Sequence, residues 1–226
     1  HRGRAMWDAG PLSGSPPGHQ DLVIAYEEDD EPLGYVVYHH GPGLARDGAG
    51  VGQYLNVMDY FAITPAAHHA LWGMLAAYDN VGEIRWNNAP ADDPLPNMIV
   101  EPRLLNTHTR DGIMARLVTV EDAMTQRPYP ELASLRFELR DEFCEWNDGR
   151  WLLDTDTEGS AMTRIDGENV DITLTADTLA SMAFGRISAS DAARAGLLEV
   201  HDDRALARWD SALRTKYVPY EAEHTW

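Results

Sequence analysis

The chain predicts an α+β fold in two successive parts: an α/β layer, then an antiparallel sheet covered by helices. Three observations carry this. Apolar residues alternate at period two over short runs bounded by Gly, Pro, Asn and Asp. In the first half a helix start lies between two such runs. In the second half the strands come first and the helices after. At 226 residues, 44% hydrophobic and 24% charged, the chain can bury a real core as one large or two smaller domains.

Taken in order, PLSGSPPGHQ (11–20) is a loop without periodicity. DLVIAY and LGYVVYHH then read as two strands about the acidic turn EEDDEP. After a second glycine-rich loop, QYLNVMDYFAI places Leu55, Val57, Asp59, Phe61 and Ile63 on one face, with Asp59 read as an edge position facing water. Thr64 followed by Pro65 is a helix start, a side-chain cap with proline at the first helical position. The helix carries Ala67, Leu71, Met74, Leu75 and Tyr78 on its apolar side. VGEIRW returns as a strand, and Pro90, Pro94 and Pro96 keep the following stretch irregular.

The second half opens with GIMARLVTVEDAMTQ, read as a strand and a short helix. ASLRFELRD alternates Leu135, Phe137 and Leu139, and GRWLLDTD, GSAMTRI and NVDITLT are further short strands joined by tight turns. Three helices follow: ADTLASMAFG; SASDAARAGL, capped by Ser188 or Ser190; and DDRALARWDSALRTK. In the last, Leu206, Trp209 and Leu213 form the apolar stripe, with Asp202 and Asp203 near its N-terminus. Phe137, Leu139, Trp151, Met182, Phe184 and Trp209 are the large residues expected to fill the space between sheet and helices.

The charge of -19 repels phosphate backbones, so nucleic acid is not an expected partner. Lys216 is the single lysine, and two readings of that bias stay open: a salty cytosol or a GC-rich genome. Cys144 stands alone, which excludes an internal disulfide in this chain and points to a reducing cytoplasm. No apolar run approaches the roughly 18 residues that span a bilayer, so no membrane association is expected. Adjacent histidines, His39-His40 and His68-His69, diverge on a strand or helix and make poor metal sites, so no metal is expected. GxSxG, P-loop and GxGxxG signatures are absent, and the acidic runs read as solvated surface.

Two ordered loops remain, ADDPLPNMIVEPRLLNTHTRDGIMARLV (91–118) and EFCEWNDGRWLL (142–153). With GYVVY, LNVMDYFAITPAAHHALWGMLAAYD, RDGIMARLVTVEDAMTQRPY and LRTKYVPY, they occur in an order that resembles the C-terminal part of the enhanced intracellular survival family. These are multi-domain GNAT N-acetyltransferases that acetylate amines, including aminoglycosides, using acetyl-CoA. The resemblance runs from about Leu22 to Trp226. It implies that residues 1–108 are the C-terminal part of a central GNAT-like domain and 109–226 a sterol-carrier-protein-2-like domain. The acetyl-CoA-binding domain, with its R/Q-x-x-G-x-G/A loop, then lies outside this chain, which alone is expected to be inactive.

The resemblance also implies the site. In that family the chain's own terminal carboxylate accepts the proton of the substrate amine, a role that falls to Trp226. Asp111 matches an acidic residue of the amine pocket; it also reads as a turn residue before Gly112. A member of the family has an acid immediately before its last residue; Thr225 stands there here, and Glu223 is the nearest acid. The expected partners are an amine substrate and further copies of the chain, as in the family's hexamer. Two other readings stay open: a stand-alone module holding a lipid or other apolar ligand, and a scaffold for assembly.

Overall fold

A computed structural model describes residues 4–10, 20–41, 53–110, 112, 114–167 and 169–220. Contacts divide the chain into two compact units, one up to His108 and one from Thr109 to Tyr220.

The first unit holds α1 (Arg4–Ala9), β1 (Leu22–Glu28), β2 (Glu31–Gly41), β3 (Gln53–Ala62), α2 (Pro65–Ala76) and β4 (Val81–Trp86). The strands lie in sequence order, β1-β2-β3-β4. The first three are antiparallel, and α2 carries the chain across so that β4 runs parallel to β3. β1 and β2 meet through Asp29 and Asp30, at φ 53° and 64°, the two-residue turn whose twist suits a hairpin. Val36, Tyr38, Leu55 and Val57 form the core with Leu71 and Leu75 of α2. Each fully buried leucine contributes about 1.5–3 kcal/mol. Gly34 lets the layers close: a Cβ there would lie 2.9 Å from the Phe61 carbonyl oxygen and 3.1 Å from Leu71 Cδ1.

One expectation for β3 is corrected here. Val37 pairs with Asp59 and Tyr38 with Val57, so Met58 is an extra residue in the strand. Beyond this bulge the faces exchange. Leu55 and Val57 point to α2, as do Tyr60 and Ala62, whereas Asp59 and Phe61 turn to the opposite face. Asp59 is buried rather than facing water, and it accepts a hydrogen bond from Tyr35 Oη at 2.7 Å.

The second unit contains α3 (Val120–Gln126), β5 (Ala133–Arg140), β6 (Gly149–Thr155), β7 (Ala161–Arg164), β8 (Ile172–Thr175), α4 (Ala176–Ala183), α5 (Ala189–Arg194), β9 (Leu198–Val200) and α6 (Ala205–Leu213). Its sheet runs β7-β6-β5-β8-β9, antiparallel except for the β5–β8 pair. Leu135, Phe137 and Leu139 of β5 are fully buried, and Phe137 meets the buried Trp209 of α6 edge to face at 5.5 Å. Ser188, not Ser190, caps α5 by accepting the Asp191 N–H at 3.0 Å. The expected strand at 112–118 is not formed among its described residues, and β9 was not foreseen. Phe184 ends α4 and is 48% exposed instead of filling the core.

Candidate functional site

The three residues expected to form the site, Asp111, Glu223 and Trp226, lie outside the described residues. Described stretches near them in sequence, residues 114–118 and the end of α6, are each held by a polar knot of the second unit.

The first knot is centred on Asp141, immediately after β5. Its carboxylate pairs with Arg116 and accepts the N–H groups of Phe143 (3.2 Å) and Cys144 (2.9 Å) and the Asn147 amide (3.0 Å). Burial alone would raise its pKa, but the Asn147 and backbone donors and the Arg116 charge outweigh it and hold Asp141 below the usual carboxylate range. Asn147 in turn accepts the Val120 N–H at 3.1 Å and donates to the Val118 carbonyl at 3.0 Å; Trp146 Nε1 donates to that same carbonyl at 2.9 Å. Residues 116–118, downstream of Asp111, are thus held by side chains of the 141–147 loop. This explains why CEWND is ordered: Asp141 makes an Asx-type turn onto the next backbone N–H groups.

The second knot is Arg127, at the end of α3. Its Nε donates to Ala183 O at 2.9 Å, at the end of α4, and its Nη2 to Leu213 O at 2.6 Å, at the end of α6. The guanidinium also lies 4.9 Å from the Tyr129 ring centre. Two helix C-termini, each with excess negative charge, share one planar cation. From Leu213 the chain runs on toward Glu223 and Trp226. An arginine directly before Pro128, at a helix end, was the available signal for this cap.

The first unit carries a different polar chain. Tyr60 Oη lies 2.6 Å from His68 Nδ1; His68 Nε2 faces Asp93 Oδ1 at 3.6 Å; and Asp93 accepts the Leu95 N–H at 2.8 Å. Trp72 and Trp86 pack on Tyr60 at 5.5 and 5.1 Å. Burial pushes the Tyr60 pKa up and the His68 pKa down, with Asp93 partly opposing the latter. Burial also raises Asp93, against the Leu95 N–H and His68. His68 is therefore a core histidine tying β3, α2 and the proline-rich loop together, while its neighbour His69 is exposed. Among the described residues no group of three or more His, Cys, Asp or Glu is placed to hold a metal ion.

The helix entry at α2 has its N–H groups taken up from within rather than free for an anion. Pro65 has no N–H, Thr64 Oγ1 takes the Ala67 N–H at 3.2 Å, and His68 N–H bonds the Thr64 carbonyl at 3.0 Å. Converging free N–H groups are not offered at this helix entry. On the second unit an open polar cleft of about 880 Å³ follows the outer face of the sheet. Its charges meet each other, Arg140 with Glu199 at 3.2 Å and Arg150 with Glu138 at 2.9 Å. Among the described residues no helix is long and apolar enough to cross a membrane.

Comparison with known proteins adds the family. Residues 1–117 match the model of the acetyltransferase (GNAT) domain, and residues 120–221 that of the sterol carrier protein domain. An N-acetyltransferase of Streptomyces avermitilis is 30% identical over 197 residues, which is 87% of this chain and 47% of that protein. The N-acetyltransferase Eis of Mycobacterium bovis is 31% identical over 217 residues, 93% of this chain and 49% of its own length. The crystal structure of Eis1 from Mycobacterium abscessus superposes with a TM-score of 0.74 at 26% identity, covering 96% of this chain and 53% of that one. The chain thus spans about half the length of the relatives it matches. With the acetyltransferase model covering the first unit and Eis proteins among its relatives, the chain belongs to the GNAT N-acetyltransferase family, in its Eis-like branch.

Proposed function

We propose that this chain forms part of an N-acetyltransferase that moves an acetyl group from acetyl-CoA to an amine. Residues 1–108 serve as the C-terminal part of a central GNAT-like domain and 109–226 as a sterol-carrier-protein-2-like domain. The acetyl-CoA pyrophosphate is held by a domain outside this chain. The observation that carries this reading is the acetyltransferase match over residues 1–117 on a unit whose α2 entry is already capped from within.

In this proposal the Trp226 carboxylate is the proton acceptor. A terminal carboxylate has an ordinary pKa of about 3.5 and is anionic at neutral pH, so it attracts an ammonium and helps remove its proton. Asp111 and Glu223 add negative charge to the amine pocket. Subunits associate as copies of one another, and the protein works in the cytoplasm. A lipid-holding role finds less support, because Phe137, Leu139 and Trp209 fully bury themselves between sheet and helices.

The test uses the protein as its reading frame encodes it. Deletion of Trp226 is expected to leave acetyl-CoA binding intact and to remove most amine-dependent release of CoA thiol. Unchanged turnover in that variant contradicts the role of the terminus. Calorimetry of the 226-residue chain alone is expected to show no acetyl-CoA binding; a stoichiometric isotherm would place the cofactor site in this chain after all.

A further inference from the structure

We infer that the exposed aromatic pair Phe143 and Trp146, in the loop between β5 and β6, is a docking surface for an arginine- and lysine-bearing segment of a partner protein.

The pair is held in place from several sides. Asp141 accepts the Phe143 N–H at 3.2 Å, and its bonds to Cys144 and Asn147 fix the turn that follows. Trp146 is pinned twice. Its indole N–H donates to the Val118 carbonyl at 2.9 Å, and its own carbonyl accepts from Arg164 of β7, which also donates to the Asp148 carbonyl at 2.8 Å. Both rings nevertheless stand in water: Phe143 is 81% and Trp146 58% exposed, with Val118 beside them at 58%. Single exposed apolar residues are ordinary on a protein surface. Two adjoining aromatics on a loop this firmly bonded are not, because they have little conformational freedom left to lose on binding, the property of an interface anchor.

Charge selects the occupant. Glu142, Glu145 and Asp148 flank the two rings and are exposed, and among the described residues no side chain pairs with their carboxylates. The bond from Val120 N–H to Asn147 Oδ1, at 3.1 Å, sets the first turn of α3 against the same loop, with Glu121 and Asp122 exposed on it. Arg164 offsets one of these charges, and Arg116 is matched by Asp141. The aromatic faces here already hold guanidinium groups, Arg116 at 5.1 Å from the Phe143 ring centre and Arg164 at 4.2 Å from that of Trp151. Free carboxylates beside aromatic rings thus suit further guanidinium and ammonium groups, carried on a chain that lies along the loop. A second copy of this chain fits less well, since it brings a charge of -19 and a single lysine. A small amine would find no enclosure, because rings this exposed do not wall a concave site.

The experiment uses the protein as its reading frame encodes it, without acetyl-CoA, so that docking is read apart from acetyl transfer. Fluorescence anisotropy follows labelled peptides of roughly 12 residues, long enough to cross both rings, with alternating Arg-Ala, Lys-Ala or Glu-Ala. The arginine peptide is expected to bind, the lysine peptide more weakly, and the glutamate peptide not at all. Phe143→Ala and Trp146→Ala keep every charge, and each should weaken the arginine peptide roughly 10- to 30-fold. Glu142→Gln combined with Glu145→Gln should weaken it as well and flatten its salt dependence. Phe184→Ala, at an exposed aromatic ending α4, should keep the parental affinity. If Trp146→Ala does not fold, Phe143→Ala, whose ring makes no hydrogen bond, decides. Failure of the arginine peptide to bind overturns the inference. So does parental affinity in the folded alanine variants, which would leave only the general attraction of an acidic protein for a polycation. Spermine binding as tightly, and lost in the same two variants, would make this a small-amine site and overturn the assignment to a protein segment. Self-association of the parent that Phe143→Ala dissolves in sedimentation would assign the surface to a second copy instead.

Discussion

The two units treat buried polar groups in opposite ways. In the first, Tyr60, His68 and Asp93 face one another beneath Trp72 and Trp86, and burial drives each toward its neutral form. In the second, the Asn147 amide, two backbone N–H groups and Arg116 outweigh burial and hold Asp141 in its charged form, while Arg127, although burial lowers its pKa, spends its guanidinium donors on helix-end carbonyls. Each unit is therefore vulnerable at a different point. The first should respond to pH near neutrality, the second to truncation of one side chain.

The largest expected effect is in the second unit. Asp141→Ala removes the Arg116 ion pair, one Asn147 amide bond and the acceptor of two N–H groups, and it should destabilise this unit by about 3–5 kcal/mol in urea unfolding. A loss under ~1 kcal/mol would mean that the loop is held by other contacts. The same carboxylate sets an acid limit. Its folded pKa is depressed, so its contribution is complete above the ordinary value of 3.8 and disappears as pH falls below that value through the folded one. Asp141→Asn should remove this acid dependence.

A smaller effect is expected from Tyr60→Phe, which deletes the bond to His68 Nδ1 and should cost the first unit about 1–2 kcal/mol. The pH response of that unit sharpens the contrast. His68 is lowered from 6.5 mainly by burial, so the unfolded chain takes up the proton first. Stability contributed by His68 is thus present above 6.5 and lost as pH falls from there toward the folded value. Asp93 is raised above 3.8, so the folded form binds its proton first and acidification through that raised value returns some stability. The melting temperature of the first unit should therefore fall as pH drops below 6.5 while the second holds steady, and His68→Gln should flatten the first curve. Parallel curves for both units would break the comparison. The smallest effect belongs to the hairpin: replacing Asp29-Asp30 by Asn-Gly should stabilise the first unit by about 0.5–1 kcal/mol, because both positions have positive φ.

Much of this architecture was legible from local rules. Thr64 and Pro65 start α2 where cap and proline chemistry say, and the alternation of Leu135, Phe137 and Leu139 does bury one face of β5. What was not legible depends on partners far along the chain. The Met58 bulge is a property of two strands, so the turning of Asp59 toward Tyr35 could not be read from β3 alone. Residues 114–118 resemble a strand by composition but find the Asp141 and Asn147 side chains instead of a neighbouring strand. Phe184 was assigned to the core by size, yet Gly185 ends the helix there and leaves the ring outside. For the site, Asp111, Glu223 and Trp226 came from family resemblance only. Arg127 had a weak local signal, an arginine before Pro128 at a helix end, but its partners Ala183 and Leu213 are backbone carbonyls far along the chain, and the Asp141 partner Arg116 stands 25 residues away.

The central claim is that a backbone carboxylate at the end of the chain, not a side chain, accepts the amine proton. Appending a single glycine after Trp226 keeps the indole and moves the carboxylate, so it separates the two. The account predicts that kcat for amine acetylation collapses in the extended protein while acetyl-CoA binding and the melting temperature match the parent. Parental turnover with the extra glycine in place, confirmed by intact mass, would contradict it.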